Sequence, residues 1–113
     1  MLLTTVMLFA LAAVLGVVLI IKVFKDEETP KAVVYSHGGA AALALVLLII
    51  TYMKQGESLL LISLLIFVVA ALGGFVMFGL DISKKSIPKW LSVVHALAAV
   101  TGFILLLYAA FGA

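Results

Sequence analysis

Four long apolar runs separated by three short polar stretches make up almost the whole chain. The runs cover residues 2–24, 32–53, 59–80 and 90–111, and none is interrupted by proline. At ~1.5 Å of helical rise per residue, each can cross a hydrocarbon core of ~30 Å. The polar stretches read as turns: a charged loop over 25–31, a tight turn over Lys54-Gln55-Gly56-Glu57-Ser58, and a second charged loop over 81–89. Pro30 and Pro88 suit the first turn of the helix that follows each long loop, where a missing N–H costs nothing. The predicted fold class is all-α: an integral membrane up-down-up-down four-helix bundle, with residues 1–113 as one transmembrane domain.

Composition supports that reading. The chain is 113 residues long, 67% hydrophobic and 11% charged, and a soluble domain of that size could not hide so much apolar surface. The lipid bilayer must cover the remainder. The first run lacks a basic leader and spans about twenty apolar residues, so it reads as a retained span and not as a signal peptide. Absence of cysteine excludes disulfides, iron–sulfur clusters and thiolate metal sites. Net charge is +2, without arginine, and the lysines sit in short loops, which suits membrane orientation and not nucleic-acid binding. Lys22, Lys25, Lys31, Lys84, Lys85 and Lys89 flank the two long loops, whereas Lys54 stands alone on the opposite side. The positive-inside rule then makes loops 25–31 and 81–89 cytoplasmic and puts both termini outside, as in a bacterial inner membrane.

The two halves also resemble each other. Laid on itself at an offset of 58 positions, the chain matches Phe9 with Phe67, Ala12 with Ala70, Gly16 with Gly74, Pro30 with Pro88, Lys31 with Lys89 and His37 with His95. Repeat 1 is residues 1–55 and repeat 2 is 59–113, a tandem repeat of a two-helix unit. Both units have the same orientation, which implies a pseudo-two-fold axis along the membrane normal and equal depth for the two histidines.

His37 and His95 are the only histidines, and each lies about two turns inside its span. Ionisable groups within a membrane are costly and mark function by default. Ala41 and Ala44 follow His37 at i+4 and i+7, and Ala99 and Gly102 follow His95, so both histidine faces are small below the imidazole. In a bundle with short connections the second and fourth helices lie diagonally, so the histidines should face one another. Residues equally far from a hairpin turn lie at equal depth, which puts Gly16 and Gly74 level with the histidines on the other diagonal. Two imidazoles on one diagonal and two bare backbone patches on the other describe a slot for a flat disc with axial ligands. One haem b per chain fits it: His37 and His95 as iron ligands, macrocycle edges against Gly16 and Gly74, and Ala41, Ala99 and Gly102 making room.

On His37, His95, Gly16 and Gly74, the chain resembles the membrane-bound b-type cytochromes, particularly the four-helix core of cytochrome b in quinol-oxidising complexes. There too, histidines come from the second and fourth helices and glycines from the first and third. The resemblance implies an electron carrier near the cytoplasmic face, with a quinone or a redox partner subunit as its counterpart. The chain departs from that family in having one histidine per ligand helix, hence one haem, and no arginine to meet the propionates. Lys31, Lys89, Ser36 and Ser92 would take the arginines' place.

Other chemistries fit less well. Two histidines without a nearby carboxylate or cysteine are too few for an ordinary zinc site. No serine, histidine and acid are placed for nucleophilic catalysis, and no phosphate-binding glycine loop follows a strand, so autonomous enzyme activity is not expected. The alternatives are a small repeat-built transporter or proton-linked channel, with the histidines relaying protons, and a structural or assembly subunit of a membrane complex. The Ala12-x-x-x-Gly16 and Ala70-x-x-x-Gly74 pairs would serve the latter, or a homo-oligomer, as packing faces.

Overall fold

A backbone in hydrocarbon must satisfy its own polar groups, and four uninterrupted apolar runs do so as helices. The computed structural model describes residues 1–112 and contains α1 (Leu2–Phe24), α2 (Lys31–Gln55), α3 (Ser58–Ile82) and α4 (Lys89–Phe111). All four are long and apolar enough to cross a membrane. The molecule measures 42 × 23 × 20 Å, and its long axis is close to the ~40–45 Å of a bilayer with its headgroups.

Three helices run slightly past the limits expected from apolarity. Lys54 and Gln55 continue α2 until Gly56, whose φ of 65° stops it, with the Gly56 N–H donating to the Tyr52 carbonyl at 2.7 Å. The short turn is therefore only Gly56 and Glu57. Asp81 and Ile82 belong to the last turn of α3, and Lys89 to the first of α4, so the second long loop shrinks to 83–88. Charged side chains at a helix end can reach headgroups or water, so hydropathy underestimates helix length there. Pro30 and Pro88 sit one residue earlier than expected, at the N-caps.

The first and third helices end alike. Asp26 (φ 54°) and Lys84 (φ 58°) adopt the left-handed conformation, and the Glu27 and Lys85 N–H groups donate back to the Lys22 and Leu80 carbonyls at 2.9 Å. This is the Schellman arrangement, here without its usual glycine.

Each helix packs on two neighbours: α1 on α2 and α4, and α3 on α4 and α2. The α1–α2 and α3–α4 contacts are the more extensive, so the bundle consists of two tight hairpins meeting along thinner seams. The core occupies the end near Gly56. Leu48, Leu60 and Leu106 are fully buried there with Val6, Phe9, Ala44 and Phe67. Three buried hydroxyls share that end. Thr5 and Thr51 donate to carbonyls one turn back, and Ser63 donates across to the Gly102 carbonyl at 2.8 Å. No buried side-chain polar atom lacks a partner among the described residues. The outer face is apolar, with Val14, Leu72 and Leu97 all more than half exposed, which is what lipid solvates.

Candidate functional site

Above the packed end the facing residues become small. Ala12, Ala13 and Gly16 on α1, Gly38, Ala41 and Ala42 on α2, Ala70, Ala71 and Gly74 on α3, and Ala96 and Ala99 on α4 line a cavity of ≈ 740 Å³. That falls within the ~300–1,000 Å³ typical of ligand pockets. Its floor is the Phe9–Phe67 pair, stacked face to face with ring centres 3.9 Å apart and planes within 5°. Gly102 makes that stack possible, because a Cβ there would come within 3.2 Å of the Phe67 ring. Gly102 therefore seats the floor and does not line the cavity itself.

His37 and His95 both line this space, with ring centres 6.2 Å apart and planes at 76°. Each ring is fixed in the same way. The His37 Nδ1 is 2.7 Å from the Ala12 carbonyl oxygen, and the His95 Nδ1 is 2.7 Å from that of Ala70. A carbonyl oxygen can only accept, so each Nδ1 carries the proton and each Nε2 of a neutral ring keeps its lone pair. Donation from the non-ligating nitrogen to a backbone carbonyl is the usual way a metal-bound histidine is oriented.

The glycines explain why the rings reach those carbonyls. A Cβ on Gly16 would come within 3.1 Å of His37 Cε1, and one on Gly74 within 3.3 Å of His95 Cε1. Gly73 lies beside the His95 Cβ as well. The notch at each glycine, read from sequence as space for a macrocycle edge, holds an imidazole edge. Ala41 and Ala99 stand on the cavity wall.

Sequence reasoning missed the carbonyls of Ala12 and Ala70, although the signal was present. Each belongs to the alanine one helical turn before the glycine that a hairpin sets level with the paired histidine. The residues suggested to meet propionates are engaged elsewhere: Lys31 with Asp81 at 2.7 Å, Lys89 with Asp26 at 3.3 Å, and Ser92 with the Lys89 carbonyl at 2.8 Å. Ser36 is exposed. No cluster of three or more histidine, cysteine or acidic side chains is placed to hold a metal among the described residues.

Compared with known proteins, the chain matches no family model, no curated protein and no solved structure.

Proposed function

We propose that this is a membrane haem b protein, holding one haem per chain between His37 and His95 and passing electrons near the cytoplasmic face. The observation that carries the reading is the pair of imidazoles, each with Nδ1–H on a backbone carbonyl and a free Nε2, in one apolar cavity. His37 and His95, with ring centres 6.2 Å apart, would hold the iron through their Nε2 atoms. A porphyrin supplies four further nitrogens, which meets the shortage of protein ligands. Bound there, haem would supply one-electron redox chemistry. The protein's part is to hold the imidazole tautomers, exclude water and keep the walls small.

The wider organisation belongs to the same reading. We take the chain as an up-down-up-down tandem repeat about an axis along the membrane normal. The Nδ1–carbonyl contact spans 25 residues in both halves, and the left-handed caps at Asp26 and Lys84 are 58 apart, which supports a repeat. Both long loops would be cytoplasmic and both termini outside, with a quinone or a partner subunit exchanging electrons. A proton-linked channel is less well supported: most of the cavity wall is Ala, Gly, Val, Leu, Ile and Phe.

The test is an absorption spectrum of purified protein, oxidised and then reduced with dithionite. A Soret band that shifts on reduction, with sharp split visible bands, is the expected result. A colourless protein that stays so when haemin is supplied ends the proposal.

A further inference from the structure

A second, polar chamber lies at the long-loop end. It measures ≈ 590 Å³ and is walled by Asp26, Glu27, Glu28, Lys31, Lys84 and Lys85 together with its floor residues. Four of its residues, Val23, Thr29, Asp81 and Ile87, also line the histidine cavity. The two spaces abut there, so those four side chains stand between water and the histidine cavity.

Two of the four are bonded to each other across the hairpins. The Thr29 hydroxyl lies 2.9 Å from both carboxylate oxygens of Asp81 and donates its one proton between them. The Lys31 ammonium donates to Asp81 Oδ2 at 2.7 Å and to the Thr29 hydroxyl at 3.2 Å. Among the described residues Thr29 is the one buried residue of either long loop, and the Asp81 side chain is 15% exposed. Every side chain that bonds the Asp81 carboxylate comes from the opposite hairpin.

We propose that Thr29, Asp81 and Lys31 form a latch closing the aqueous mouth of the histidine cavity, so that its ligand arrives from water between the long loops. The physics favours this mouth over the helix seams. The Lys31 ammonium reaches Asp81 from the water edge, where it can exchange that contact for hydration. Beyond it, the contacts between the hairpins in this half include the two histidines, the exposed Lys89–Asp26 pair and the Tyr35–Phe78 contact, with ring centres 6.0 Å apart. The packed end keeps the hairpins together while the mouth parts. A ligand bearing carboxylates, as haem does on the reading above, would have to carry charge through hydrocarbon to use a seam. The latch rests on that reading only for the identity of the ligand.

The absence of cysteine makes the test clean. Ala99→Cys places a single thiol on the cavity wall, and its modification by a charged, membrane-impermeant maleimide is timed in the full chain in nanodiscs. Labelling tracks the open population, so adding Asp81→Asn or Thr29→Val should speed it roughly tenfold. Lys31→Gln should shift it the same way by less, and serves if the first two fail to fold. Lys89→Ala, which removes the exposed pair alone, should leave it unchanged. Parent-like rates in all three latch variants would overturn the latch. Haemin uptake timed in parallel separates the two ideas. Gated labelling without haemin uptake would refute the haem reading and keep the latch, and uptake with ungated labelling would do the reverse.

Discussion

The two ends of this bundle are made by the same four helices and differ in nearly every side chain that faces inward. Near Gly56, Leu48, Leu60, Leu106, Val6 and the Phe9–Phe67 stack fill the centre, and the buried hydroxyls are all bonded. Toward the long loops the buried residues are only Ala12, Ala70, Ser92 and Thr29, and the centre is a cavity. Large residues at one end set how closely the helices approach, and small residues at the other cannot fill the space so defined. One end holds the packed core and the other holds the cavity.

That division can be broken in several ways. The largest effect should come from the histidines. His37→Ala or His95→Ala should remove the bis-histidine haem spectrum while leaving the fold intact, because each ring stands at the cavity and not in the core. A wild-type spectrum in both variants would refute bis-histidine ligation. Gly16→Leu or Gly74→Leu should act almost as strongly, since even a Cβ would come within 3.1 or 3.3 Å of an imidazole. Haem titration should show weakened binding, and helical circular dichroism should not change.

Leu106→Ala tests the packed end. Truncating a fully buried leucine should destabilise the bundle by ~2–5 kcal/mol in detergent unfolding, with haem affinity per folded molecule nearly kept. The sharpest comparison uses one substitution at both ends. Ala44→Leu, into a site with no exposed surface, should cost ~1–3 kcal/mol through overpacking. Ala99→Leu, into the cavity wall, should leave apoprotein stability unchanged or raised and lower haem uptake. Equal losses of stability at both positions would mean that the two ends are packed alike. The smallest effect is expected at the caps, where Lys84→Gly should relieve a left-handed lysine and stabilise the apoprotein by up to ~1 kcal/mol, read as a rise in melting temperature.

Much of this was legible before folding. Apolar runs and their charged breaks located all four helices, because lipid leaves an apolar chain few alternatives. The 58-residue register singled out the histidines, Gly16, Gly74 and the Phe9/Phe67 pair. It did not say what each partner touches. Gly16 and Gly74 proved to seat imidazoles, and Gly102 proved to seat Phe67. A glycine announces only that something comes close. Asp81 looked like one more loop charge, and its contacts with Thr29 and Lys31 join residues 52 and 50 positions away.

The sequence by itself determined the class of molecule and the number and limits of its helices to within a turn. These follow from hydropathy and helical rise, which are local. Tertiary structure alone decided that the imidazoles lie 6.2 Å apart with Nδ1 on the Ala12 and Ala70 carbonyls, and that stacked phenylalanines divide the core from the cavity. Those facts depend on how helices rotate and approach one another. That is settled by the sum of many weak packing contacts, in which no single residue's identity is decisive.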